Sequence, residues 1–194
     1  FAREIGSGNL EARVELLSKD DLLGKSLIEM RDNLKRAREE EENRKIEEEK
    51  KKWVNEGLAK FGEILRQNND NLTLLCDDII KNLVWYLNSS LGGIFILNEN
   101  KETNEKTFDM VSAFAYDRKR FLNKSYHLSE GLIGACAVER DIIMLTEVPQ
   151  QYIEITSGLG DANPNFLFLI PLITEDQVMG VIEIASLKKF QEHE

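Results

Sequence analysis

The sequence predicts an α+β fold in which a long N-terminal coiled-coil helix precedes an antiparallel sheet of five to six strands flanked by helices. Two observations lead to this prediction. Residues 19 to 66 contain no proline and are rich in Leu, Glu, Lys and Arg, which is a composition typical of helices. After residue 90, short β-branched and aromatic runs are separated by Gly, Pro, Asn and Asp, as strands are separated by turns.

The long helix carries apolar residues at the spacing of a coiled-coil seam. They form two sets that are out of phase by three residues, and the charged segment 38–52 between them must absorb that offset. We therefore expect the helix to pair with a second copy in a parallel homodimer. The alternative is a solvated single helix that bridges two domains. The predicted seam residues are Leu27, Met30, Leu34, Val54, Leu58, Phe61 and Leu65.

A polar break, NNDN at 68–71, follows the long helix, and Asp70 or Asn71 is suited to cap the next helix. That helix has an apolar stripe predicted to face the following domain. The stripe consists of Leu72, Leu75, Ile79, Leu83, Tyr86 and Leu87.

The remainder of the chain is predicted to be rich in strands, with its helices gathered on one face of the sheet. GLIGACAVER at 131–140 predicts a short helix whose two glycines allow close packing of the backbone. The strands are predicted in 92–100, 107–117, 141–149, 165–173 and 178–186, with a further short one near 126–128.

The charge distribution argues against nucleic acid as a partner. The net charge is −10, and the residues after Gln67 hold 10 basic and 19 acidic side chains, a net charge of −9. A domain this acidic is repelled by phosphate backbones and by anionic lipid surfaces. The sequence also lacks the roughly 20 consecutive apolar residues that a membrane helix requires.

The sequence offers no constellation for catalysis or metal binding, so we expect a protein without enzymatic activity, metal or cofactor. Its histidines are His127 and His193, and neither lies in a zinc or nucleophile motif. Cys76 and Cys136 lie in apolar surroundings and are predicted to be small buried side chains in a reducing compartment. The glycine-containing segment 156–165 lacks the Lys of a phosphate-binding loop and is predicted to be a connection or lid.

Residues 1 to 37 resemble the C-terminal half of a HAMP domain. Gly8, Asn9 and Leu10 match the connector of that family, Asp21 and Gly24 match the start of its second helix, and the first seam residues match its core. The segment WVNEGLAKFGEILRQ, within residues 38–67, resembles the signalling helix that follows HAMP domains.

Residues 68 to 194 resemble a GAF domain. The motifs that carry this resemblance are GGIFIL at 92–97, GLIGACAVE at 131–139, FLFLIPL at 166–172 and GVIEIAS at 180–186. Cys136 is followed by Ala137 rather than His, and residues 123–128 lack the cyclic-nucleotide signature of some members, so neither a bilin nor a cyclic nucleotide is expected.

The combined resemblance implies a signal-transduction relay from a bacterial membrane sensor of the histidine kinase or chemoreceptor type, as in two-component systems. The fragment would be cytoplasmic, its parent would lie in the inner membrane, and an output domain would belong to the same parent chain. Two alternatives are that the GAF domain is the primary sensor of a small molecule, or that the chain is a structural spacer. The resemblance places candidate ligand-binding residues at Phe114, Tyr116, Tyr126, Cys136, Thr146, Tyr152 and Phe168, each of which core packing explains equally well.

Overall fold

The structure is a computed structural model that describes residues 1–12, 16, 18, 21–67, 70–100, 103–115, 118–120, 124–149, 155–157 and 160–190. The chain divides into two compact units, Phe1–Glu56 and Gly57–Glu194. Helix α2 (Leu22–Gln67) begins in the first unit and ends in the second, without interruption through the charged segment. The predicted long helix is therefore confirmed, with a start three residues later than the sequence indicated.

In the first unit, the short helix α1 (Ala2–Gly6) and the turn after it precede α2. The side chains of Ile5 and Ala12 are buried there. Arg31 of α2 donates a hydrogen bond from Nη1 to the carbonyl of Ala12 at 3.2 Å. Lys35, one turn later, donates to Oε1 of Glu11 at 2.6 Å. The N-terminal segment is thus held by one face of α2.

The second unit contains helix α3 (Leu72–Tyr86), and its cap is the residue that the sequence indicated. Oδ1 of Asn71 accepts a hydrogen bond from the backbone N–H of Leu74 at 3.1 Å. The buried face of α3 is centred on Cys76, Ile80 and Val84. The expectation that Leu72 faces the domain is wrong, because Leu72 is exposed. Since α3 is apolar around most of its circumference, spacing alone could not identify the buried face.

An antiparallel sheet forms the centre of the second unit, as predicted. Its strands follow the order β3-β2-β1-β9-β8-β5, and the short strand β4 also pairs with β2. A separate two-stranded sheet joins β6 and β7. The strands are β1 (Leu91–Glu99), β2 (Lys106–Ala115), β3 (Arg118–Arg120), β4 (Ser125–His127), β5 (Ile143–Leu145), β6 (Ile155–Ser157), β7 (Gly160–Ala162), β8 (Phe166–Thr174) and β9 (Gln177–Ser186).

Helices cover both faces of the large sheet, which corrects the expectation that they gather on one face. Helix α4 (Gly131–Glu139) packs on one face and contributes Ile133 and Cys136 to its core. Helix α3 packs on the other face and contributes Ile80 and Val84. The strands β1, β8 and β9 are apolar on both sides, as expected of a sheet between two helical layers.

The β8–β9 hairpin gives a stability prediction. Its loop residues Glu175 and Asp176 have φ of 47° and 61°, and they lie between the paired residues Thr174 and Gln177. Such two-residue turns favour glycine, because side chains are strained at positive φ. We expect Asp176→Gly to raise the free energy of unfolding by about 0.5–1 kcal/mol, measured by urea denaturation. The matched change Gln177→Gly, inside the strand, should lower it, and the same sign for both variants would contradict the turn geometry.

Candidate functional site

The face of the sheet beneath α4 is the candidate ligand-binding face, because the core there includes Tyr126 and Cys136, two of the residues that the resemblance indicated. Side chains alternate along β9, so Val181, Glu183 and Ala185 point to this face. Phe95 of β1 and Leu169 of β8 lie on the same face and are fully buried. We call this surface, defined by Phe95, Leu169, Val181, Glu183 and Ala185, the α4 face.

Glu183 places a carboxylate within the apolar α4 face. Its side chain is 8% exposed, and in the strand register it lies beside Gly93 of β1 and Leu169 of β8. Tyr126 of β4 is a neighbour whose ring meets Phe95 edge-on, with centroids 5.6 Å apart. Burial raises the pKa of the Tyr126 phenol, and the negative charge of Glu183 raises it further. A buried carboxylate requires specific polar surroundings. An apolar core does not need a carboxylate for its packing.

Cys136 of α4 is a buried thiol on this face, as the sequence predicted. Its Sγ donates to the carbonyl of Asp141 at 3.4 Å. Burial, followed by the negative charges of Glu139 and Asp141, raises its pKa to about 11. Burial also raises the pKa of Cys76 to about 11. Both thiols are therefore protonated and weakly nucleophilic at neutral pH.

The structure brings together only part of the predicted ligand-binding set. Tyr126 and Cys136 both pack into the core beneath α4. Phe114 and Phe168 pack against the opposite face, in the core beneath α3, and therefore cannot line the same site. Thr146 is exposed just after β5. Tyr116 and Tyr152 lie outside the described residues, and ligand binding by the set stays a prediction.

On the α3 side of the sheet, a polar contact fixes helix to strand. The hydroxyl of Ser112, which is buried on β2, donates to Oδ1 of Asp77 at 2.5 Å. Trp85, near the end of α3, meets Phe114 edge-on with centroids 5.8 Å apart. The apolar sequence patterns did not identify either polar partner.

The C-terminal turns of α2, which belong to the second unit, contact the last residue of α3. Gly57 is buried, and a Cβ atom placed on it would lie 3.1 Å from Oη of Tyr86. The ring of Phe61 meets that of Tyr86 edge-on at 5.9 Å, and Nζ of Lys60 lies 5.8 Å from the Tyr86 centroid. We call Gly57, Lys60 and Phe61 the Tyr86 socket. Phe61, predicted as a seam residue, therefore packs within its own chain.

Most of the other predicted seam residues keep their side chains in solvent within this single chain. Leu27 is half-buried. The remaining five are between 43% and 69% exposed, and they are Met30, Leu34, Val54, Leu58 and Leu65. A helix that exposes a repeating apolar stripe presents a surface for another helix.

Two kinds of site are not found in the described part of the chain. None of its helices combines the length and apolar character of a bilayer span. No group of three or more His, Cys, Asp or Glu side chains there is arranged to hold a metal ion.

Comparison with known proteins identifies the fold. A GAF domain from A. aeolicus nlh2 in an inactive state is similar with a TM-score of 0.56 and 19% identity, over 74% of this chain and 83% of that chain. The GAF domain of an Acinetobacter phosphoenolpyruvate-protein phosphotransferase gives 0.51 and 17%, over 71% and 82%. A free methionine-R-sulfoxide reductase from Neisseria meningitidis gives 0.49 and 13%, over 69% and 75%.

No protein-family model matches the chain. No curated protein matches it either. The structural similarity nevertheless shows that the second unit has the fold of a GAF domain, as the sequence motifs indicated. The absence of enzymatic activity and the HAMP resemblance stay predictions.

Proposed function

We propose that the chain is a relay module of a transmembrane receptor, in which a parallel homodimer passes conformational change along α2 to or from the GAF domain. The HAMP-like N-terminal residues would receive the signal, and an output domain of the parent chain would act on it. The observation that carries this proposal is the exposed apolar stripe of α2, which includes Leu58 at 69% exposure.

The apolar stripe favours pairing with a second copy, because exposure of apolar side chains to water is unfavourable. Burying a leucine side chain contributes about 1.5–3 kcal/mol, so pairing along several turns offsets the entropy that association costs. A second α2 presents the same stripe at the same height when the two helices run parallel. One surface of α2 therefore supports both the partner and the orientation that we propose.

The charged middle of α2 favours a movable coil rather than a rigid one. Its charges pair within the helix, as between Glu41 and Lys45 at 2.9 Å and between Arg44 and Glu48 at 3.7 Å. Exposed pairs of this kind contribute little across an interface. The segment that must absorb the three-residue phase offset therefore depends least on any particular contact with the partner helix. Such a segment can change its arrangement, as a two-state element requires.

Native mass spectrometry and cysteine cross-linking test this proposal. We expect the purified chain to have the mass of a dimer of 22.3 kDa subunits in native mass spectrometry, and Leu58→Cys to form a disulfide-linked dimer under mild oxidation. In a parallel pair each introduced thiol faces its counterpart. The native thiols interfere little, because burial raises the pKa of Cys76 and of Cys136 to about 11.

Met179→Cys is the matched control, since Met179 is also exposed but lies on β9. A monomeric mass together with equal cross-linking of the two variants would overturn the relay dimer. A dimeric mass without Leu58→Cys cross-linking would overturn its parallel orientation. If the chain is a dimer but the output of the parent protein does not depend on the phase of α2, the chain is a structural spacer.

The buried carboxylate of the α4 face favours a second function, in which the GAF domain senses a small molecule itself. Glu183 and Tyr126 bring an acidic and a phenolic group together in an otherwise apolar layer. Such convergent polar groups in an apolar site are typical of ligand recognition. Extra mass that is retained in the native spectrum and lost on denaturation would favour this function.

A further inference from the structure

The Tyr86 socket is built so that it distinguishes one rotational position of α2 from its neighbours. Gly57, Lys60 and Phe61 are spaced at i, i+3 and i+4, so they share one face of the helix. At Gly57 the backbone itself meets the ring, since an added Cβ would lie 3.1 Å from Oη and 3.2 Å from Cζ of Tyr86. Each residue of a helix turns by about 100°, so a shift by one residue would place Leu58 or Glu56 where a hydrogen atom now fits.

Tyr86 is followed by a turn with little freedom. The N–H of Asn88 bonds to the carbonyl of Trp85 at 3.1 Å, and the N–H of Ser89 bonds to that of Val84 at 2.9 Å. With Asn88 at φ 46°, these two bonds define a Schellman motif. The hydroxyl of Ser89 also donates to Val84 at 3.2 Å. Displacement of Tyr86 is therefore passed along the turn rather than absorbed by it.

The turn ends at Ser90, which binds the segment by which the chain leaves the sheet. The N–H of Ser90 donates to the carbonyl of Ala185 at 3.0 Å. Its Oγ accepts from the N–H of Leu187, the residue after β9, at 3.2 Å. Asn165 holds the same residue from the other side, with Nδ2 donating to the carbonyl of Leu187 at 2.8 Å.

A groove beside this junction gives the turn room to move. Its volume is about 370 Å³, and the Ser90–Leu187 hydrogen bond lies among its walls. The lining residues are Val84, Trp85, Asn88, Ser89, Ser90, Leu187 and Lys188. At Leu187 the exit segment is thus attached to the turn by a side-chain bond next to open space, and it packs against the core only further along, where Phe190 meets Phe168 at 4.7 Å.

We infer that the turn from Tyr86 to Ser90 couples the rotational phase of α2 directly to the exit segment at Leu187, without passing through the α4 face. This inference rests on the proposed relay and names the residues that carry it. Rotation of α2 forces a side chain into the Tyr86 socket, the Schellman turn shifts, and the bond from Leu187 to Ser90 breaks. Ligand binding on the α4 face would then be a separate input.

Hydrogen–deuterium exchange of the whole chain, read in peptides that cover 183–190, tests the coupling. Gly57→Leu should accelerate exchange of the Leu187 amide about fivefold or more, while amides of the central strands β1 and β9 keep the wild-type rate. Gly62→Leu is the matched control on the same helix, because the nearest atom to an added Cβ there is the Arg66 guanidinium at 3.8 Å. It should leave Leu187 unchanged.

Ser90→Ala removes the acceptor of the Leu187 amide directly, so it shows how much exchange accelerates when this hydrogen bond is lost. Acceleration by both Gly57→Leu and Ser90→Ala supports the coupling. If Ser90→Ala accelerates exchange at Leu187 and Gly57→Leu does not, or if neither does, the inference is wrong. Should Gly57→Leu fail to fold, Gly57→Ala brings only a Cβ to within 3.1 Å of Oη of Tyr86 and is read in the same way. Native mass spectrometry of the wild-type chain tests separately whether the dimer on which the relay depends is formed.

Discussion

Replacing Phe95 with alanine is expected to lower the free energy of unfolding of the second unit by about 3–5 kcal/mol. Phe95 is fully buried at the centre of the α4 face, where it meets Tyr126 edge-on at 5.6 Å. The loss combines the transfer of a large side chain with the cavity that it leaves, because strands on both sides fix the walls of that cavity. Since native domains are stable by only about 5–15 kcal/mol, the variant should be close to the limit of folding.

Urea denaturation followed by circular dichroism measures this effect, with Met144→Ala as the control. Met144 is 57% exposed on the short strand β5, so its truncation should cost less than about 0.5 kcal/mol. A loss of similar size in both variants would mean that Phe95 is not a central core residue. The unfolding of α2 should be followed separately, because the two compact units need not unfold together.

The long strands and helices were predictable because each has a local sequence pattern that is consistent with its environment in the fold. The runs at 92–100, 165–173 and 178–186 became β1, β8 and β9 with boundaries shifted by at most one residue. Strands β3, β6 and β7 were missed. They are three residues long, and hydrogen bonds to a partner strand define them rather than any apolar run of their own.

The candidate sites were less predictable because they depend on which element meets which. Spacing assigned Tyr86 to the side of α3 that faces the domain, whereas its ring packs against Gly57 and Phe61 of α2. A glycine inside a strongly helical segment was the available signal, since it costs about 1 kcal/mol relative to alanine unless close packing requires it. Glu183 gave a similar signal, as a charged residue inside the apolar run GVIEIAS.

The change Gly180→Ala is expected to destabilise the domain by about 3 kcal/mol, although it adds only one methyl group. Gly180 lies on β9 and pairs with Ile96 on one side and Leu172 on the other. A Cβ at this position would be 2.5 Å from the carbonyl oxygen of Phe95. That oxygen belongs to β1, a central strand paired on both sides, and cannot withdraw without disturbing the sheet.

Gly62→Ala separates this steric effect from the general effect of removing a glycine. Gly62 is inside α2, and the nearest atom to an added Cβ is 3.8 Å away, so alanine should raise stability there by about 0.5–1 kcal/mol. The same substitution therefore has opposite expected signs at the two positions, and urea midpoints for the two variants distinguish them. A neutral Gly180→Ala would mean that β1 and β9 lie further apart than their register indicates. The packing of Phe95 and Glu183 on the α4 face would then need to be redrawn, because both positions follow from that register.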